Sequence, residues 1–300
     1  MDRHGCQNAN FIAAGSIDPY TVFGVAYSTG CSAQAVTVDT SGALQSVAAN
    51  LTYNGTSGVL VTFEHAATRP LLTSNLKIRH GLDLSPDNKF MYSADDMGNS
   101  VWTHSYDSTT ETAQNLQRLI APSGANPRHL AVHPNGEWVY VVYEEANSLA
   151  VYARDNESGL LTDMNSTYSL LPAGFTNTSS YWADEALFSI PSTNSSSLSP
   201  KYIITGTRSR STSALGYVSV FALDATSGVI TEQLFLGPTT ASGGSANAVA
   251  PALFSEQYFA ITDSGSNFVE VWKINEDGKS AAAVAHLSLG IGPANVVWLD

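Results

Sequence analysis

The sequence predicts an all-β chain folded as a β-propeller. Pro86 and Pro134, Phe90 and Trp138, Tyr92 and Tyr140, and Asn99 and Asn147 are each 48 positions apart, the kind of period that repeated sheets leave in a sequence. Within each repeat, short apolar runs alternate with Pro/Asn/Asp/Gly turns. Sustained helical periodicity is absent between the runs. Four-stranded antiparallel sheets around a channel therefore account for the chain better than a sandwich.

The elements follow in order. Residues 11–40, with Phe11-Ile-Ala-Ala and Ala33-Gln-Ala-Val-Thr-Val-Asp as apolar runs, read as an incomplete first blade whose first strand is missing. The first full repeat begins His80-Gly-Leu-Asp-Leu-Ser-Pro86, turns, and continues as Phe90-Met-Tyr-Ser-Ala-Asp. The second begins Arg128-His-Leu-Ala-Val-His-Pro134 and continues as Trp138-Val-Tyr-Val-Val-Tyr-Glu144. Their third strands are Val101–Tyr106 and Leu149–Ala153. Looser copies run through Glu185–Pro191, Tyr202-Ile-Ile-Thr and Tyr217–Leu223, then Ser245–Pro251, Tyr258–Asp263 and Phe268–Ile274. A run at 294–300 reads as an isolated closing strand. The expectation is one propeller domain over 1–300, with about five blades plus partial strands, where seven such units would need about 350 residues. Either the ring is a smaller one or an N-terminal part is absent.

Composition excludes several classes of function. Hydrophobic residues make up 43% of the 300 positions, enough for a core, and charged residues only 13%. Thirteen Lys+Arg against 26 Asp+Glu give a formal charge of −13. Such a field repels phosphate backbones and anionic bilayers, so neither nucleic acid nor membrane is an expected partner. Six Asn-X-Ser/Thr sequons, at Asn50, Asn54, Asn156, Asn165, Asn177 and Asn194, sit mostly in Ser/Thr-rich stretches that suit glycan-bearing loops. They favour a secreted or cell-surface protein over a cytoplasmic one. Cys6 and Cys31 pair in an oxidising compartment or stay as two thiols in a reducing one.

The repeat alignment also places polar residues. A blade's first strand lines the channel and its second runs antiparallel beside it, so the start of one and the end of the other share a rim. His80, Arg128, Glu185 (or its neighbour Asp184, because that turn is irregular) and Ser245 stand six residues before the turn position. Asp96, Glu144, Arg208 and Ser264 end the second strands. Any one of these is equally served by capping a strand end. Two arginines at equivalent inner positions, in a chain with 13 basic residues, point to chemistry. His129 and His133 have the spacing of helical zinc ligands but lie on a strand without the Glu of that motif, so no metal is assigned. No Gly-x-Ser-x-Gly elbow, P-loop or dinucleotide fingerprint is present.

Two segments carry a family resemblance. Asn126-Pro-Arg-His-Leu-Ala-Val-His-Pro-Asn-Gly-Glu-Trp-Val-Tyr and Ile230-Thr-Glu-Gln-Leu-Phe-Leu-Gly-Pro-Thr-Thr-Ala-Ser-Gly-Gly-Ser-Ala-Asn-Ala-Val-Ala-Pro resemble the seven-bladed propeller lactonases. They are more closely similar to the fungal 3-carboxy-cis,cis-muconate cyclases. The resemblance runs from about Phe11 to Asp300. It implies a cofactor-independent lactonizing enzyme of aromatic (protocatechuate) catabolism, with a small tricarboxylate as substrate. Its catalytic set falls on His80, Arg128, Glu144 and Arg208, with Arg128, Arg208, Ser245 and Glu185 binding substrate. Ser245 departs from the family's usual His, which bears on specificity. A sugar-lactone hydrolase similar to the 6-phosphogluconolactonases and a secreted non-catalytic propeller glycoprotein are the alternative readings.

Overall fold

The computed structural model describes residues 81–107, 112–191, 199–242 and 248–289, four positions between 293 and 298, and the backbone of seven strands before residue 64. The chain divides into two compact units, Met1–His80 and Gly81–Asp300. In the first, β1 (Ile12–Gly15), β2 (Thr21–Ala26) and β7 (Val59–Phe63) form one sheet. Two-stranded ladders join β3 (Ser32–Ala33) to β6 (Leu51–Thr52) and β4 (Val36–Val38) to β5 (Leu44–Ser46).

The second unit is built from four antiparallel four-stranded sheets in sequence order. They are β8 (Gly81–Leu84), β9 (Phe90–Asp95), β10 (Ser100–Asp107) and β11 (Thr112–Ile120); β12 (Pro127–Val132), β13 (Trp138–Tyr143), β14 (Ser148–Arg154) and β15 (Leu161–Ser169); β16 (Tyr181–Phe188), β17 (Tyr202–Ser209), β18 (Tyr217–Leu223) and β19 (Ile230–Pro238); and β20 (Val249–Pro251), β21 (Tyr258–Asp263), β22 (Phe268–Ile274) and β23 (Ala281–Ser288). This is the all-β, repeated-sheet architecture expected from the 48-residue period. In the segment expected to close the ring, Trp298 donates its indole N–H to the Ala250 carbonyl at 2.9 Å and packs edge-on against Phe254.

The core lies between neighbouring sheets. Along β13, Val139, Val141 and Tyr143 pack toward the β8–β11 sheet, while Tyr140 and Val142 pack toward the β16–β19 sheet. Ile203 and Ile204 divide in the same way between the sheets on either side of β17. A strand's side chains alternate with period two, so a strand covered on both faces reads as an unbroken apolar run. Each such side chain contributes about 1.5–3 kcal/mol on burial.

Polar side chains set the spacing between sheets. Tyr92 donates to the Gly159 carbonyl at 2.9 Å, and its repeat partner Tyr140 donates to Gly228 at 2.6 Å. Both glycines end Asp-x-x-Ser-Gly turns at positive φ. At Gly228 a Cβ would also lie 2.5 Å from the His133 ring, so glycine is required twice over. His133 is thus a packing residue, buried, edge-on to Phe188, and accepting the Asn135 N–H at Nδ1.

Candidate functional site

Asparagines at the rim turns place the site strands. Asn99 and Asn147 adopt left-handed backbone at φ 45 and 49, a conformation Asn tolerates better than most residues. Their side chains then reach the connection entering the next sheet. The Asn99 amide donates to the Ala121 and Pro122 carbonyls, both at 3.0 Å, and its oxygen accepts the Asn126 N–H at 2.8 Å. The Asn147 amide donates to the Thr178 and Tyr181 carbonyls at 3.2 and 3.1 Å. One latch fixes the start of β12 and the other the start of β16.

Both of those first strands carry a bulge at the rim. The ladder register shifts between Pro127 and Leu130 in β12, and between Ala183 and Glu185 in β16. A bulge re-aims one side chain, and here the re-aimed groups are Arg128 and Asp184. Arg128 NH1 donates to Glu144 Oε1 at 2.8 Å, and its Nε stands 2.6 Å from Asp184 Oδ1. Arg208 NH2 donates to the same Glu144 oxygen at 3.1 Å, and its NH1 lies 3.7 Å from Asp184 Oδ2. Two guanidiniums and two carboxylates thus close a ring of alternating charge. Arg128, Glu144 and Asp184 are buried, and Arg208 is the most open member, with 12% of its side chain exposed.

Burial shapes the protonation of this cluster. Desolvation pushes the Glu144 carboxyl above the usual carboxylate range despite the opposing charges of Arg128 and Arg208. Asp96, also raised by burial, senses the Arg128 charge and the Asn126 side chain. His129 is driven down to about 3 by burial and by the Arg128 charge beside it, so it is neutral. Among the described residues no group of three His, Cys, Asp or Glu is arranged to hold a metal ion.

The structure brings together Arg128, Glu144 and Arg208, three of the residues singled out in the sequence. Glu185 does not join their hydrogen-bonded ring. The bulge turns its carboxylate to accept the Val249 N–H of the next sheet at 2.9 Å, and burial raises it to about 8. Asp184 takes the place beside the arginines. His80 and Ser245 lie outside the described residues, as do Asn50, Asn54, Asn194, Cys6 and Cys31. Asn156, Asn165 and Asn177 are exposed.

Sequence reasoning missed the outer layer of the site. Trp182 pairs with Arg208 across the β16–β17 ladder. Its indole N–H donates to Glu145 Oε1 at 2.8 Å, and the Arg208 and Arg210 guanidinium carbons lie 5.1 and 3.8 Å from its ring centroid. The Arg208-x-Arg210 spacing was the available signal, because residues two apart on a strand emerge on one face.

Fold and site together define a propeller with a paired-arginine, carboxylate-bridged cluster at one sheet rim. Residues 8–233 match the family model described as lactonase, 7-bladed beta-propeller, and the chain belongs to that family. It is 30% identical over 229 residues to a carboxy-cis,cis-muconate cyclase from Neurospora crassa, covering 74% of this chain and 60% of that protein. It is 31% identical over 234 residues to muconate cycloisomerase 1 from Cutaneotrichosporon cutaneum, covering 73% and 59%. The chain therefore spans about 60% of the length of these curated relatives. Among solved structures, the Pseudomonas aeruginosa periplasmic gluconolactonase PpgL superposes with a TM-score of 0.60 at 19% identity, covering 91% of this chain and 68% of its own.

Proposed function

We propose that this protein is a cofactor-independent lactonizing enzyme that closes 3-carboxy-cis,cis-muconate to carboxymuconolactone. The observation that carries the reading is the sharing of one Glu144 oxygen by Arg128 and Arg208. In the reaction a substrate carboxylate oxygen forms a bond to an alkene carbon. The displaced π pair moves into the conjugated carboxylate as an enediolate, which is then protonated at carbon. Arginines suit both tasks, because a guanidinium binds carboxylates bidentately and stabilises the developing oxyanion.

The proton donor is assigned to His80, with Glu144 sharing the role. A carboxyl held high by burial keeps a proton closer to neutral pH than an ordinary glutamic acid. At physiological salt the field of the formal charge of −13 is largely screened beyond ~8 Å, so the arginines nearest the tricarboxylate decide its binding. The three exposed sequons support secretion as part of the same proposal.

A second reading is a lactone hydrolase. The charge balance favours it: two guanidiniums already matched by Glu144 and Asp184 suit a less charged substrate, with a carboxylate activating water. Measuring diene closure by ultraviolet absorbance beside lactone opening by acid release separates the two. Faster closure supports the cyclase, and opening without closure overturns it.

A further inference from the structure

We infer that Arg210 is a second anion anchor of this site, selecting ligands that carry two or more carboxylates over those that carry one. The inference rests on the rim cluster being the ligand site.

Arg210 follows β17, two residues beyond Arg208, so the two arginines leave the strand on the same side, while Ser209 between them is buried. The Arg210 backbone is fixed by its N–H bond to the Ser180 carbonyl at 2.9 Å. Its guanidinium carbon lies over the Trp182 ring, 3.8 Å from the centroid, and that of Arg208 lies over the same ring at 5.1 Å. The indole is thus a shared platform for two cations at the sheet rim, and cation–π attraction helps orient them without using their hydrogen-bond donors.

The counter-ion of Arg210 is Glu145, which accepts the Arg210 NH2 on one oxygen and the Trp182 indole N–H on the other. This outer pair differs from the inner ring in exposure. The side chains of Arg210 and Glu145 are 32% and 36% exposed, against 4% and 8% for Arg128 and Glu144. An ion pair that open to water is weak, so a ligand carboxylate can replace Glu145 on Arg210 at little cost. Glu145 keeps its indole partner when this happens. Among the described residues, three arginines, Arg128, Arg208 and Arg210, meet at this rim. A ligand with one carboxylate is satisfied by Arg208, and a second carboxylate gains Arg210.

Binding of tricarballylate and of butyrate to the whole protein, followed by calorimetry, tests this with Arg210→Gln, Arg210→Lys and Arg208→Gln. Arg210→Gln is expected to weaken tricarballylate about tenfold, leave butyrate unchanged, and be partly rescued in Arg210→Lys. Equal weakening of both ligands, or of neither, overturns the role of Arg210 while loss of both in Arg208→Gln leaves the site standing. If tricarballylate fails to bind, or binds Arg208→Gln as well as it binds the wild type, the site reading falls and the inference with it.

Discussion

Arg128 and Arg208 donate hydrogen bonds to the same oxygen, Oε1 of Glu144, at 2.8 and 3.1 Å. Eighty positions separate them in the chain, and each reaches Glu144 from a different sheet. Asp184 closes the ring from the other side, so no charge in it can be removed without leaving another uncompensated.

Glu144→Gln keeps the shape of the side chain but removes its charge and its proton-transfer role. Turnover is expected to fall about 100-fold or more, within the range for a positioned acid or base. Far-ultraviolet circular dichroism should remain that of the folded wild type. Turnover within a factor of about two of the wild type would contradict the role.

Asp184→Asn strips a buried counter-charge from Arg128. Unpairing a buried ion costs about 3–5 kcal/mol, which urea unfolding reads as a lowered midpoint. Combining Asp184→Asn with Arg128→Met should cost less than the sum of the single changes, because the second change removes the orphaned charge. Additive losses would show that the two side chains are not coupled.

Asn147→Ala removes two latches onto the β16 connection and puts a β-carbon residue without a polar side chain into left-handed backbone. The expected loss is about 2–4 kcal/mol. Asn147→Gly should recover about 1 kcal/mol by relieving the backbone, while leaving the latches broken. Both variants should lose turnover as well as stability, because β16 carries Trp182 and Asp184.

Glu185 supplies a pH dependence of known sign. Its carboxyl is raised from 4.5 to about 8 by burial, so the folded state holds a proton that the unfolded chain releases. Stability from this group is therefore full below pH 4.5 and is lost as pH rises toward 8. Asp83, raised from 3.8 to about 6 by burial, acts in the same direction over a lower window. Glu185→Gln accepts the same Val249 N–H without a charge. Unfolding free energies from pH 5 to 9 should therefore fall more steeply in the wild type than in the variant. Parallel curves would contradict the assignment.

The sheets were legible because inner and middle strands are buried on both faces. Tyr140-Val-Val and Ile203-Ile therefore stand out as apolar runs, and their constant offset betrays the repeat. Outer strands such as Leu161–Ser169 are largely exposed, with Leu161 the one buried residue and few apolar side chains, so nothing in their sequence distinguishes them from loops. Arg128, Glu144 and Arg208 were legible for a related reason: register within a repeat fixes which rim a residue reaches. Asp184 and Glu185 marked the edge of that method. A bulge of one residue exchanges the two faces of a strand, and sequence alone does not say which carboxylate it turns inward. Trp182 and Arg210 lie at strand margins beyond the repeat's aligned core, so only the two-residue spacing from Arg208 hinted at them.

The most direct test of the paired-arginine account is the rate at which the protein and its Arg208→Gln variant consume 3-carboxy-cis,cis-muconate, followed by the loss of diene absorbance. The account predicts consumption by the wild type and a fall of about 100-fold or more in kcat for the variant, the usual cost of losing a donor to a developing oxyanion, with the fold retained. Equal rates for the two proteins, or no consumption by either, would contradict it.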